Sequence, residues 1–308
     1  MGFVGGVGNV NVDLIYTGAP RVPRPGEEVY ARDFGMYLGG GIPATLVNLG
    51  RLGIESRVMT FLGNDRFSAF ARREFEAAGA KVVNLYRGND IPVVITSVMV
   101  VDGDRAFMSW GHPPAIDGET REILFEALRG ADVVPMPPGD IELYRRLKRE
   151  GVRLVFDTGW EDDLSVGKYA DYLSIADYYL PNRAEAMKIT GADSPEAAAR
   201  ALERWLPCPV VKLDGEGCLY RQGGATRVVP AVPGVNAVDT TGAGDAFMAG
   251  FIYGMVNNCD VETCMQYGNI TGAACVKAVG CLTGYVDGEQ LRSEKKKVYG
   301  WKLFSPPE

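Results

Sequence analysis

Histidine is almost absent: the 308-residue chain holds one, His112, in "WGHPPA". A multi-histidine metal site is thereby excluded, and an imidazole-based triad would have to use that residue. Paired cysteines are absent too. The six cysteines (Cys208, Cys218, Cys259, Cys264, Cys275, Cys281) lie in the last third with no C-x-x-C spacing. Zinc is therefore not expected, and free thiols in a reducing cytoplasm are the simplest account. The start, "MGFVGGVGNVNVDLIY", lacks a basic stretch followed by a long apolar run, and no apolar run elsewhere suits a membrane span. Neither a signal peptide nor a membrane partner is expected. Basic charge is in deficit, with 32 Lys and Arg against 39 Asp and Glu and a net charge of -7. Nucleic acid is a poor partner on that balance. The only dense basic run, "EKKK" at Glu294–Lys297, reads as a solvated helix face. With so little imidazole, acid–base chemistry falls to carboxylates, and His112 reads as a loop or substrate contact.

What is present is an ordinary globular composition, 46% hydrophobic and 23% charged, with length for one large domain. "FVGGVGNV" reads as a buried strand. "GGGIPATLVNLGRLG" opens a helix that Gly53 closes. "PVVITSVMVV", the turn Asp102-Gly103 and "DRAFMSW" read as a β-hairpin. From there strands and helices alternate: "GETREILFEALRG", "ADVVPM", "GDIELYRRLKREG", "VRLVFD", later "DYYLP", "NRAEAMKITG", "SPEAAARALERWL" and "PVVKLD". That rhythm predicts a parallel sheet with helices on both faces. The hairpin and the strand before Gly39 break it and are expected to form a small separate sheet.

The most informative stretch is "AVDTTGAGDAFMAGF", Ala237 to Phe251. Phe247, Met248, Phe251, Ile252 and Met255 recur with helical spacing, so Gly242, Ala243 and Gly244 stand at a helix N-terminus. The first N–H groups there have no intrahelical partner, the helix dipole adds positive charge, and small side chains admit a ligand to the backbone. That is a cradle for phosphate oxygens. Asp245 at its edge is either a local cap or a base that takes the proton of an attacking hydroxyl. No Lys-Ser/Thr follows the glycines, so this is not a P-loop. Position 247 is Phe, so it is not a dinucleotide fingerprint either.

"DTTGAGDAFMAGF" closely resembles the signature of the ribokinase-like sugar kinases, the PfkB carbohydrate kinase family. The resemblance runs in order from residue 3 to about 290. It implies an α/β fold: a ribokinase-like, Rossmann-like three-layer sandwich with a mainly parallel central sheet and a small β lid. It implies one kinase domain over residues 1–308, with lid segments at about 14–38 and 91–110. The activity implied is transfer of the γ-phosphoryl of ATP to a primary hydroxyl of a small sugar. Asp245 would be the base, and the N–H groups of Gly242, Ala243 and Gly244 the anion hole.

Further elements are similar to the family's and imply roles in the same way. "GNVNVD" implies a first strand ending in a substrate-binding Asp13. "LGGGIPATLVNLGRLG" implies that Gly39, Gly40 and Gly41 lie beside the substrate. Ala44 stands where many relatives carry a sugar-bonding Asn, and Gly41 where kinases for ribose and sugar phosphates often carry Lys. Both lean towards an unphosphorylated sugar or a nucleoside. Arg105 and His112 would lie on or near the lid. "LPNRAEAMKITG" implies Asn182 near the ATP phosphates and Glu185 organising Mg²⁺ through water, although the same pair is also a capping box in outline. "VVKLDGEGCLY" implies nucleotide contacts from Lys212, Asp214 and Gly217. Asp214 replaces a usual Gly, and Gly215 is expected to supply the flexible turn. Asn269 matches an adenine-side Asn. A K⁺ site is implied at Asp239, Thr241, Cys275, Ala278, Gly280 and Gly284. "FDTGWEDD" does not match the fructose-type element. A homodimer through the lid is expected. The rival readings are a nucleoside kinase, a non-catalytic nucleotide or sugar sensor on the same scaffold, and a dehydrogenase built on "GGVGNV", whose glycine register is wrong for a dinucleotide.

Overall fold

The computed structural model describes residues 2–101 and 104–300. In chain order, β1 (Val4–Val7), β2 (Asn11–Thr17) and β3 (Asp33–Gly39) precede α1 (Gly41–Arg51), β4 (Ser56–Thr60), α2 (Arg66–Ala77) and β5 (Lys81–Asn84). β6 (Val94–Val101) and β7 (Asp104–Trp110) pair antiparallel. The expected Asp102-Gly103 turn between them lies outside the described residues. Then come α3 (Gly118–Leu128), β8 (Val133–Met136), α4 (Ile141–Arg149), β9 (Arg153–Phe156), α5 (Val166–Ile175) and β10 (Tyr178–Tyr179). α6 (Arg183–Thr190) and α7 (Pro195–Leu202) lead to β11 (Val210–Lys212), β12 (Gly217–Gln222) and β13 (Ala225–Pro230). Three helices follow: α8 (Ala243–Val256), α9 (Val261–Cys275) and α10 (Gly288–Tyr299).

Six strands form a parallel sheet in the order β10-β9-β8-β1-β4-β5. Alternate residues of each strand face opposite ways. Val58, Val133 and Val155 join a core with α1, α2, α8 and α9, whereas Met59, Val134, Leu154 and Phe156 join one with α3, α4 and α5. The sheet is therefore covered on both faces, which is why its strands read as continuous apolar runs. β11, expected as a further strand of that sheet, instead opens the antiparallel sheet β11-β12-β13. It touches the parallel layer through one bridge, Asn182 to Lys212, because β10 is only two residues long. α5, β5 and the β12–β13 hairpin were not anticipated.

The small sheet has the order β3-β2-β6-β7, mixed rather than wholly antiparallel because β2 and β6 run parallel. Its strands begin at Asn11, earlier than expected. Asp13 therefore does not end the first strand: β1 stops at Val7, and Asp13 lies within β2 on the small sheet. Residues 18–32 contribute no strand to this sheet.

α8 was expected to bury one face, yet every residue from Ala246 to Met255 is buried. It is enclosed by α9 and α1, and small residues make that fit possible. A Cβ on Gly250 would stand 2.5 Å from the carbonyl oxygen of Tyr267, and one on Gly254 would stand 2.8 Å from the Cα of Cys264. Thr271 Oγ1 donates to the Ala246 carbonyl at 2.6 Å across the same seam. No helix among the described residues is long and apolar enough to cross a membrane.

Gly250→Ala tests this seam. Helix propensity alone would stabilise the variant by about 1 kcal/mol. The added methyl meets backbone, which cannot rotate away, and overpacking of this kind costs about 1–3 kcal/mol. The expected outcome is net destabilisation, read as a lower urea midpoint with an unchanged slope.

Candidate active site

Two cavities meet at the start of α8. One, of about 380 Å³, lies under the small sheet and is lined by Gly242 and Asp245. The other, of about 760 Å³, lies beside α9 and the turn before β12 and is lined by Ala243, Gly244 and Phe247. The first turn of α8 is thus the wall between them. Gly242 is its N-cap, left-handed at φ 78° with no side-chain cap. Any other residue is barred twice over, by that conformation and because a Cβ there would stand 2.2 Å from the Cβ of Cys281. The Ala243 N–H closes a turn onto the Thr240 carbonyl at 3.2 Å. The next two N–H groups, of Gly244 and Asp245, meet no acceptor among the described residues and open to the junction. The Lys212 ammonium approaches from β11 to within 3.2 Å of where a Gly244 Cβ would stand. Thr45 Oγ1, on α1, donates to the Asp245 carbonyl at 3.2 Å and holds this turn against the neighbouring helix.

Burial drives the Asp245 carboxyl up to about 7; the negative charge of Asp157 adds to the rise and Lys212 opposes it. A carboxylate poised near neutrality beside unpaired N–H groups can both accept a proton and sit next to an anion.

The cavity under the small sheet is also lined by Asp13, Gly39, Gly40, Gly41 and Arg105. Asn11 Nδ2 donates to Asp13 Oδ1 at 2.6 Å, and Thr96 Oγ1 to Asn11 Oδ1 at 3.1 Å; Thr96 and Ser109 hydroxyls are 3.0 Å apart. Burial pushes the Asp13 carboxyl up to about 6, against the Asn11 hydrogen bond and with help from Asp239. Gly39 lets that carboxylate lie close: a Cβ would stand 2.7 Å from Asp13 Oδ2. Arg105, on β7, is the one cation lining the cavity among the described residues. Its guanidinium pairs with Asp239 Oδ1 at 2.7 Å and donates to Thr241 Oγ1. Ile15, Val98, Val100 and Phe107 make the rest of the wall apolar. His112 is not brought in. It is exposed beyond the end of β7, with its ring edge against Trp110. Ala44 is fully buried in α1 and lines neither cavity.

The larger cavity gathers Asn182, Lys212, Asp214, Gly217 and Asn269. Asn182 and Glu185 form the complete capping box of α6: Glu185 N–H donates to Asn182 Oδ1 at 2.9 Å and Asn182 N–H to Glu185 Oε2 at 2.8 Å. Asp214, not Gly215, takes the left-handed conformation, at φ 54°. Its short polar side chain tolerates that region better than most. Gly217 at φ 103° is held against β13, where a Cβ would stand 2.2 Å from the Val229 carbonyl. Asn269 Nδ2 donates to the Pro230 carbonyl at 3.0 Å and so fixes that wall.

Comparison with known proteins agrees with this geometry. The sequence model of the pfkB family carbohydrate kinases matches residues 3–287. The chain belongs to that family. It is 29% identical over 250 residues to an uncharacterized sugar kinase of Archaeoglobus fulgidus, covering 77% of this chain and 98% of that protein. Arabidopsis thaliana ribokinase, solved with ribose and ATP, superposes with a TM-score of 0.80 at 22% identity, over 96% of this chain and 99% of that one. A nucleoside kinase of Methanocaldococcus jannaschii superposes at 0.78 and 19%, with 96% and 99% covered. The protein is therefore a phosphotransferase with a hydroxyl acceptor, on the ribokinase fold.

Some residues lining or neighbouring the cavities of this carbohydrate kinase escaped the sequence reading. Asn11 had a signal: two positions before Asp13 in a strand, it shares that face. Asp157 had one too, standing just past the C-terminal end of a parallel strand, where such sheets bind ligands. Its Oδ2 is 3.8 Å from Lys212 Nζ. Thr96 and Ser109 are brought together only by strand register. Among the described residues no three His, Cys, Asp or Glu side chains form a direct metal-ligand set. Asp157 and Glu185 do suit a hydrated divalent ion: burial first, and then the charge of Asp157, raises the Glu185 carboxyl, a repulsion a cation would relieve. Residues implied to hold K⁺ also make polar contacts within the chain. The Asp239 carboxylate already receives the N–H of Thr241 at 2.7 Å, of Gly280 at 2.9 Å and the Arg105 guanidinium. The Cys275 thiol donates to the carbonyls of Thr241 and Cys281, each at 3.3 Å.

The raised Asp245 carboxyl predicts a pH signature. Its folded-state value lies above the unfolded one, so the unfolded chain holds fewer protons and stability falls as pH rises through about 4 to 7. Asp245→Asn is expected to melt above the wild type at about pH 8, with the gap closing towards about pH 4. A scan of melting temperature against pH checks this; equal melting at all pH values would place the carboxyl in water.

Proposed function

We propose that this kinase transfers the γ-phosphoryl of ATP to a primary hydroxyl of a small, unphosphorylated sugar, with Asp245 as the base. The observation that carries the reading is the junction itself: unpaired N–H groups at the start of α8, and a half-buried carboxylate of raised proton affinity beside them, between two cavities. The larger cavity takes the nucleotide, its adenine against Phe247, Val232 and the wall tied by Asn269, its phosphates towards Lys212, Asn182 and Gly244. The smaller takes the acceptor. Asp13 and Asn11 hold its hydroxyls, and Gly39, Gly40 and Gly41 offer backbone to its other side. Asp245 accepts the proton of the attacking hydroxyl, which leaves an alkoxide-like oxygen to attack phosphorus. The N–H groups of Gly244 and its neighbours, with Lys212, stabilise charge on the migrating group. Glu185 and Asp157 would hold Mg²⁺ through water, and when bound that ion neutralises the phosphate charge. The small sheet keeps bulk water from the transferring group.

A second acceptor class is favoured by one observation. The apolar wall of Ile15, Val98, Val100 and Phe107 lies beyond the polar Asp13 end and suits the flat face of a nucleobase. A nucleoside is therefore the alternative acceptor at the same site.

The outer face of the small sheet supports a homodimer. Because Ile15, Thr96, Val98 and Phe107 line the cavity, the alternate residues Leu14, Tyr16, Phe34, Met99 and Met108 point to the opposite face. Phe34 is 60% exposed and Met108 70%, and among the described residues the strand register places no charged side chain between them. A second copy packing sheet to sheet would cover them.

Two experiments follow. With Mg²⁺-ATP and a panel of sugars and nucleosides, the wild type should release ADP with at least one acceptor. Asp245→Asn should lower that rate at least ~100-fold while calorimetry finds ATP binding little changed; comparable turnover would remove the base. Sedimentation should show a dimer at micromolar concentration, converted to monomer by Met108→Lys combined with Phe34→Lys.

A further inference from the structure

Arg105 raises a question that the kinase reading leaves open. It rides on the small sheet, yet its polar partners belong to the loop that delivers α8. Asp239, Thr240 and Thr241 lead directly into Gly242, so whatever fixes the Asp239 carboxylate fixes the anion hole. That carboxylate is buried. It receives the N–H groups of Thr241 and Gly280, and among the described residues the guanidinium is the cation that meets it, at 2.7 Å.

The neighbouring oxygens are engaged by the chain itself. The Cys275 thiol donates to the Thr241 and Cys281 carbonyls, each at 3.3 Å. Gly284 is pressed onto the carbonyls of Ala274 and Cys275; a Cβ there would stand 2.2 and 2.9 Å from them. A free monovalent ion would have to displace a guanidinium and a thiol proton to gather these oxygens.

We propose that Arg105 is a positioning residue that does for the anion-hole loop what a monovalent cation would do, so that phosphoryl transfer by this protein needs no K⁺. Because Arg105 sits on the small sheet and Asp239 on the body, the same ion pair ties seating of the sheet over the acceptor to assembly of the anion hole. The role belongs to Arg105 rather than to the loop alone: the backbone N–H groups on Asp239 carry no net charge, and a buried carboxylate without a full counter-charge is poorly tolerated.

The proposal rests on the kinase reading, and the test separates the two. ADP release by the full-length protein is compared in KCl and in choline chloride at equal ionic strength. The wild type is expected to run equally fast in both. Arg105→Met should lose about tenfold or more in kcat, with the KM for ATP little changed, and should recover part of that loss in KCl but not in choline chloride. Arg105→Lys should fall between the two. Melting curves give a second readout that needs no acceptor: K⁺ should leave the wild type unshifted and specifically stabilise Arg105→Met. Activation or specific stabilisation of the wild type by K⁺ overturns the proposal. So does an Arg105→Met variant that changes only the KM for the acceptor, or one that K⁺ neither activates nor stabilises. If the wild type phosphorylates nothing in the panel, the kinase reading fails, while the melting curves still decide the role of Arg105.

Discussion

The first turn of α8 can open its N–H groups to two cavities because the helix behind it cannot move. α8 is enclosed on all sides, and Gly250 and Gly254 bring α9 to backbone contact. Thr45 and Thr271 add hydrogen bonds from the neighbouring helices to its first carbonyls. A helix end is a useful anion site only if its groups already point where charge will develop, since reorganisation during reaction would consume the gain. The apolar residues around Phe247 and Phe251 therefore serve the chemistry indirectly. They anchor the body of the helix so that its unpaired end stays fixed.

The charges around that end are set against one another. Asp245 and Glu185 both have raised proton affinity, and in both cases burial is the main cause, Asp157 adds to it and Lys212 opposes it. Such an arrangement is unfavourable on its own and, under the proposed function, would become less so with phosphates and a divalent ion bound, because Lys212 would then meet anions and the carboxylates a cation. Local instability of this sort is what a binding site for a charged nucleotide retains. On the other side of the wall, Arg105 balances Asp239 within the protein, so the loop before α8 does not wait on a ligand for its counter-charge.

The small sheet has two faces with different duties. Its inner face alternates polar and apolar residues, Asp13 and Thr96 with Val98 and Phe107, and so meets both hydroxyls and a less polar part of an acceptor. Its outer face is apolar across neighbouring strands. A single-residue slip in the register of β2 against β6 would exchange the two faces. The lining of the acceptor cavity and the proposed dimer face thereby depend on one strand pairing.

Periodicity and turn chemistry made much of this legible beforehand. The parallel sheet, the glycine-headed α8 and the separate small sheet were visible in runs of local sequence, because each depends on neighbours a few positions apart, whereas the places of Gly39, Lys212 and Gly217 in the cavities were implied by the family resemblance. Asp214 was misread, since whether it or Gly215 turns left-handed is decided by packing beneath the turn. His112 looked eligible by rarity and lies outside the cavities. Thr96 and Ser109 were passed over because a hydroxyl within a strand gains meaning only beside its cross-strand partner, while the strand-end signal at Asp157 went unused. By itself the sequence determined the family, through its resemblance to the pfkB signature, and many of the secondary elements, the glycine-headed start of α8 among them, because those elements follow from local hydrogen-bonding and burial patterns. Only the tertiary structure decided which charges face each other, above all Arg105 and Asp239, because electrostatic pairing acts through space, and a residue distant along the chain gives no local sign of it.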